Sequence, residues 1–161
     1  MATFYSEQVT KLDAVPAEPI NVDELHGKVR IARFDYDQVA QGAIGTIIQL
    51  CKLPAGRIRL LGRESALYHS ALDTGVTLDV GWAAYTDFAG DAVALDAAGL
   101  DDGVDVAAAG VVRLGTVAAV LAECQTKVFE SQEGVVIMGT IGVAVIPADG
   151  VLKGYIAYVL D

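Results

Sequence analysis

A chain of 161 residues with 53% hydrophobic side chains is long enough to bury a core without disulfide or metal staples, and reads as one domain. Eleven Lys and Arg against 21 Asp and Glu leave a net charge of −10, which repels phosphate backbones and argues against sequence-independent nucleic-acid binding. The apolar stretch VVIMGTIGVAVI spans twelve residues where a membrane helix needs about 20, and Pro147 stops it, which argues against a membrane span.

In residues 1–27 periodicity is weak, and Pro16 and Pro19 remove amide donors and push their predecessors toward extended backbone. We read this segment as an extended N-terminal arm, with one helical turn at NVDEL, capped by Asn21 or Asp23, as an alternative. Its start lacks the basic patch and apolar core of a signal peptide, so assembly in a reducing cytoplasm is expected. Residues 28–161 then form the single folded domain.

That domain opens with KVRIARFDYD, in which Val29 and Ile31 share one parity while Ala32, Phe34 and Tyr36 take the other; the slip predicts a bulge near Ala32 or Arg33. GTIIQLCKL is a strand that stops at the turn signal PAG. RIRLLGRESALYHSAL follows as a strand with Gly62 as a candidate break, and Arg57 and Arg59 fall on one face with Arg63 nearby. We take that face as solvated or subunit-pairing. In TLDVGWAAYTDF, Leu78, Val80 and Trp82 alternate with the small set Asp79, Gly81 and Ala83, a face that permits close approach of another sheet or chain.

AGDAVALDAAGLDDGVDVAAAG, residues 89–110, is expected to be a long Ala/Gly/Asp-rich loop, with a short helix over DAVALDAAG ending at Gly99. In VVRLGTVAAVLAECQTKVF a helical stripe competes with strand signals, and strand with a turn is the favoured reading because of Gly110, Gly115 and the valines. TKVFESQ, GVVIMGTIGVAVI and LKGYIAYVLD complete the chain as strands around the turn PADG. In the middle one, Val135, Ile137, Ile141, Val143 and Val145 occupy one parity and Val136, Met138, Ala144 and Ile146 the other. One face meets the core, and the second calls for cover by the arm, the long loop or another subunit. Short β-rich runs between turn signals predict an all-β fold, an antiparallel β-sandwich or jelly roll.

Chemistry is thinly supplied. His26 and His69 stand in no HxH, HxxxH or HExxH arrangement and are expected to be ordinary surface or loop residues. Ser65 and Ser70 lack a GxSxG context, and no spacing organises either with His69 and Asp79 into a triad. Asp96, Asp101, Asp102 and Asp105 are oxygen ligands of the type calcium takes, but they miss the EF-hand positions, and Asp beside Gly has turn chemistry as its reason. GTIG and GLDDG match neither GxGxxG nor GxxxxGK[ST]. Cys51 and Cys124 belong to no CxxC or Cys/His cluster and read as buried or half-buried free thiols, their pairing left open. Phe34, Tyr36, Tyr68, Trp82, Tyr85, Phe88, Phe129, Tyr155 and Tyr158 read as core or interface before they read as a sugar platform. Tyr155 and Tyr158, on opposite faces of one strand, point to one inward contact and one with a partner. No catalytic, cofactor or metal residue is assigned.

FYSEQVTKLDA, LPAGRIRLL, TLDVGWAAYTD and VLKGYIAYVLD, in that order, resemble small virion structural proteins of tailed phages, in the class of capsid decoration or cement proteins. The resemblance implies a non-enzymatic protein on the capsid surface of the virion, assembled in the host cytoplasm and bound to the major capsid protein. It implies that the protein reinforces the head against internal DNA pressure. Self-association as a homodimer or homotrimer is expected, with no nucleic-acid or membrane partner. A neck or tail structural protein and a sugar-binding β-sandwich, using Trp82 or Tyr85 as an exposed platform, are the alternatives.

Overall fold

The computed structural model describes residues 28–38 and 41–161; the expected arm, residues 1–27, and His26 within it lie outside them. In chain order the described elements are strands β1 (Arg30–Asp37), β2 (Ile47–Leu53), β3 (Gly56–His69), β4 (Thr77–Trp82), β5 (Tyr85–Thr86), β6 (Ala92–Val93), β7 (Asp96–Asp105) and β8 (Gly110–Arg113). Helix α1 (Ala118–Ala122) and strands β9 (Thr126–Ser131), β10 (Val135–Gly142) and β11 (Val151–Leu160) follow.

The strands build two antiparallel sheets. One has the order β1-β11-β3-β8, with β9 also on β3, the other β2-β10-β4-β7, and β5 and β6 form a separate hairpin. Treating β8 and β9 as two halves of one interrupted strand, the chain crosses between the sheets at every step but β4 to β7, which pair within the second sheet, and this is the double Greek-key order of a jelly roll. Period-2 alternation places Phe34, Ile48, Leu50, Ile58, Leu60, Leu78, Val80, Trp82, Phe129, Ile137, Ile141, Ile156 and Tyr158 in one continuous core between the sheets. Burying one such aliphatic or aromatic side chain stabilises the fold by about 1.5–3 kcal/mol before chain entropy is counted.

Strand β3 organises the first sheet. Its first half pairs with β9, Gly56 to Leu61 against Ser131 to Thr126, and its second half with β8, Ala66 to His69 against Arg113 to Gly110. The expected break at Gly62 is therefore a change of partner within one continuous strand. Opposite β11 the register jumps from Ala66↔Tyr155 to Leu61↔Ala157, so residues 62–65 bulge against Ile156 alone. Ser65 closes that bulge: its buried hydroxyl donates to the Leu61 carbonyl at 2.7 Å and accepts from the Ala157 amide at 2.9 Å. A Cβ on Gly62 would lie 2.7 Å from the Leu114 carbonyl oxygen, so only glycine lets the β8–α1 turn approach this closely.

The small face of β4 has the use its composition predicts, although its neighbour is a strand of the same chain. A Cβ on Gly81 would fall 1.9 Å from the Asp96 carbonyl oxygen at the start of β7. Strand β7 itself overturns the expected long loop and short helix over residues 89–110. Residues 83–95 hold the β5–β6 hairpin, and Asp96–Asp105 pair with β4 in a register shifted at two points. Leu100 and Val106 enter the core, while the Asp79 carboxylate accepts from the Gly103 amide and that of Asp105 from the Ala107 amide, so this acid-rich segment is held as a strand.

Three further expectations need correction. Strand β1 runs in unbroken register along β11 from Arg30↔Tyr158 to Asp37↔Val151, so there is no bulge near Ala32 and Val29 and Ile31 face solvent. The favoured reading of residues 111–129 as strand with a turn misses α1, which forms because Gly115, at φ +80°, turns the chain and lets Val120 enter the core. Strand β10 ends at Gly142: Val143, at φ +62°, bends the chain, Val143 and Val145 turn outward, and Ile146 returns by a bridge to Gly42. Met138 and Ile146 are both buried within the single chain, so their cover needs no second subunit.

Asp101 locks the interrupted strand to the second sheet. Fully buried, it accepts from the amides of Gly115 and Thr116, each at 3.0 Å, and from the Thr116 hydroxyl, while the Val117 amide donates to the Leu100 carbonyl. Burial raises its carboxyl above the usual carboxylate range, and the bonds from Thr116 and Gly115 pull it partway back.

Two predictions follow from these polar plugs. Ser65→Ala leaves the Ala157 amide and Leu61 carbonyl without their bridging partner and is expected to cost about 1–3 kcal/mol in urea unfolding; an unchanged midpoint would refute the plug. Asp101→Asn turns an amide NH2 toward N–H donors and is expected to cost a similar 1–3 kcal/mol at neutral pH. Because the folded-state pKa of Asp101 is raised, wild type gains stability relative to Asp101→Asn as pH falls from the raised value toward the ordinary carboxylate value. A flat difference across that window would contradict the assigned cause.

Candidate interaction surfaces

The residues singled out for chemistry are dispersed by the fold, and most are already engaged. His69 is buried at the end of β3, contrary to the expectation of a surface histidine, with Nδ1 3.2 Å from the Ser70 carbonyl oxygen. The reason is strand parity together with Gly110, whose missing side chain leaves room for the imidazole: a Cβ there would stand 3.2 Å from Nε2. Ser70 accepts from the Val151 amide, Ser65 plugs its bulge and Asp79 holds Gly103, so none of these forms a triad with His69. Among the described residues no group of three or more His, Cys, Asp and Glu side chains lies close enough to hold a metal ion.

Cys51 and Cys124 are free thiols. Cys51 is half-buried in β2, where burial pushes its thiol up to about 12, which removes it from thiolate chemistry at neutral pH. Cys124 is exposed beside α1, against the expectation of a buried or half-buried position. GTIG lies inside β10 against Leu78 and Thr77 of β4 and forms no loop.

Three cations of the outer surface lie beside acids. Arg57 and Arg59 share a face as predicted, with Arg57 3.4 Å from Glu130 and 3.7 Å from Asp161, and Arg59 3.6 Å from the same Asp161 carboxylate. Lys153 sits 2.9 Å from Asp35, and the hydrogen bond to that carboxylate raises its ammonium pKa. The guanidiniums of this patch are thus neutralised by their own chain, which leaves it poorly suited to recruit a phosphate.

The aromatic residues divide between core and surface. Trp82 is buried, with its ring 5.3 Å from Phe129 in an edge-on contact and the Lys127 ammonium 4.6 Å from its centroid. Tyr85 packs edge-on against Phe129 at 6.0 Å, and burial, then Asp87 and Glu130, raise its hydroxyl pKa. Trp82 is thus not the exposed platform that the sugar-binding alternative expects, and Tyr85 is half-buried. Tyr158 enters the core, and Tyr155 lies half-buried on the outer face with its hydroxyl 3.5 Å from Arg113.

An open groove of about 730 Å³ runs beside Trp82 between the β7 and β9 edges, floored by Val117, Ala119 and Val120 and rimmed by Arg59, Lys127, Asp96 and Glu123. Its charges are mixed, Arg59 is engaged by Asp161 and Lys127 by the Trp82 ring, so it offers no concentrated charge to a ligand.

A second surface appears at the end of the sandwich where the β1–β2, β3–β4, β7–β8 and β10–β11 loops gather. The Gln38 amide donates to Gly150, Gly42 bridges Ile146, and the Leu72 amide donates to Val106. There Ile44, Ile47, Val143 and Val145 are exposed, the two valines lying past the end of β10, where the sequence reads as one strand.

No protein-family model matches this chain, and no curated protein sequence does. Its fold is nevertheless similar to that of a chain in the cyanophage Pam1 capsid asymmetric unit, at 18% identity and a TM-score of 0.56. The likeness covers 84% of this chain and 86% of that one. Weaker likenesses, on which no argument rests, reach the infectious bursal disease virus VP2 subviral particle and the capsid of Helicobacter pylori bacteriophage KHP30. The first has 15% identity and a TM-score of 0.45, covering 83% of this chain and 33% of that one; the second has 11% identity and a TM-score of 0.32, covering 83% and 94%. The described jelly roll is thus a fold that this chain shares, over nearly its whole length, with a component of a phage capsid.

Proposed function

We propose that this chain is a structural protein of a phage virion, and specifically a decoration or cement protein that binds the outer lattice of the major capsid protein and stabilises the head. The observation that carries the reading is the jelly roll shared with the Pam1 capsid chain along comparable shares of both, which makes the two domains alike in extent as well as in topology. The surface chemistry supports an outward position. A protein facing packaged DNA gains from an unneutralised basic face, whereas here Arg57, Arg59 and Lys153 are paired with acids and the chain carries a net charge of −10.

In this reading the protein acts by geometry. A rigid sandwich laid across neighbouring capsid subunits adds contacts that expansion would have to break, and repetition over a lattice turns weak single contacts into strong retention. Residues 1–27 supply an arm that reaches an adjacent subunit and raises occupancy through a second point of attachment. No bond-making step is assigned to the protein.

The test is incubation of purified protein with capsids assembled without it, followed by sedimentation and quantification of bound copies. Saturable, stoichiometric occupancy and raised resistance of the heads to heat are expected. Deletion of residues 1–27 is expected to weaken binding by tenfold or more, as loss of one of two linked contacts does. Absence of saturable binding refutes the cement role, ring or tube formation by the protein alone moves it to the neck or tail class, and unchanged binding after the deletion removes the arm from the mechanism.

A further inference from the structure

Three independent features meet at the loop-bearing end of the sandwich. Its apolar side chains are open to solvent, with Ile44 58%, Ile47 52%, Val143 70% and Val145 38% exposed. Its loops are poor in charge: described residues 41–46, 70–76, 106–109 and 143–150 carry only Asp73 and Asp149 among charged side chains, with Asp37 and Asp105 at the adjoining strand ends, in a chain of net charge −10. And Val143 holds a β-branched side chain at φ +62°, a backbone conformation that glycine or asparagine occupies at lower cost.

Nor is this end a loose tangle. The Gly42 and Ile146 amides exchange hydrogen bonds with each other's carbonyls at 3.1 and 3.0 Å, the Gly45 amide donates to Ile141 at 2.7 Å, and the Ile141 amide donates to Thr46 at 3.0 Å. The β1–β2 and β10–β11 loops are thereby tied into one platform that presents Ile44 and Val143 at fixed positions. An apolar residue kept in a strained conformation and aimed at water is unfavourable for the isolated chain and becomes favourable when something covers it.

We propose that this end is a self-association surface, covered by the same end of a second copy of this chain in a closed cyclic assembly. The argument for a second copy is electrostatic. Two molecules of charge −10 repel wherever acidic faces meet, so copies approach each other more easily through an end whose loops carry few charges. A neutral apolar patch is also complementary to itself, which the isologous interface around a twofold axis requires. The inference deepens the virion reading by naming the surface through which copies would cluster, yet its test uses free protein and does not depend on capsid binding.

Sedimentation equilibrium of the wild-type chain at low and high salt supplies the test, with Val143→Gly, Ile44→Asp and, as a control on a different exposed apolar site, Leu121→Asp. Wild type is expected to associate, and more tightly at 1 M than at 0.01 M salt, because the Debye length shrinks from about 30 to about 3 Å and the mutual repulsion is screened. Val143→Gly and Ile44→Asp are each expected to weaken association by roughly tenfold or more, with Leu121→Asp unchanged. Val143→Gly also relieves the strained backbone, so its melting temperature is expected to hold or rise, which separates loss of the interface from loss of the fold. A wild type that stays monomeric at every salt concentration overturns the proposal, as does undiminished association of the two end variants. If the wild type is monomeric and the end variants instead lose capsid occupancy, the platform belongs to the capsid subunit, and the proposed function stands without this inference.

Discussion

The bulge of residues 62–65 in β3 is the constraint on which the rest of the first sheet depends. A strand of fourteen residues that paired evenly with β11 would offer its other edge to one long neighbour. Four residues set against Ile156 alone shift the strand in the middle, and its two halves then take different partners. The backbone groups that the bulge releases hold the intervening segment in place: the Gly62 amide donates to Gln125 before β9, and the Ser65 carbonyl accepts from Leu114 after β8. Helix α1, the turn at Gly115 and the groove beside Trp82 all lie in the segment hung between those two bonds or against it.

Asp101 ties that segment to the opposite sheet, and the two polar plugs therefore act in series. Ser65 secures the bulge within the first sheet, and Asp101, from β7 of the second, receives the amides of the turn that the bulge displaces. Buried polar groups of this kind contribute little net energy when satisfied and cost a great deal when one partner is removed, so they specify one arrangement more than they add stability. For a protein read as acting by shape, that specificity matters more than any reactive group.

Much of this was legible in the residues, and the failures have physical causes. Alternation in TLDVGW and the PAG turn placed β4 and the β2–β3 corner, because a half-buried strand and a glycine turn leave strong local signals. Residues 96–105 read as loop in the sequence because Ala, Gly and Asp have low strand propensity; the strand exists because β4 presents a partner edge and because Asp79 and Asp105 bond backbone amides, which is tertiary information. The burial of His69 was equally hidden, for it depends on Gly110 arriving opposite from forty residues away. In β1 the apolar Val29 and Ile31 suggested a change of parity, when in fact these residues are exposed and the register is continuous.

The stretch from Val135 to Ile146 shows how a composition-level argument can be right in outcome and wrong in location. Apolar residues on both parities required cover for a second face, and the chain itself supplies it for Met138 and Ile146. What stays uncovered is not the strand but the bend after it, where Gly142 ends the ladder and Val143 and Val145 turn away from the core beside Ile44. A continuous strand would have hidden these valines in a sheet at no conformational cost, whereas the bend holds Val143 at positive φ and leaves it in water. Part of the apolar surplus of the sequence thus lies at one end of the sandwich, in the bend after β10, and not along the strand that the alternation of residues 135–146 suggests.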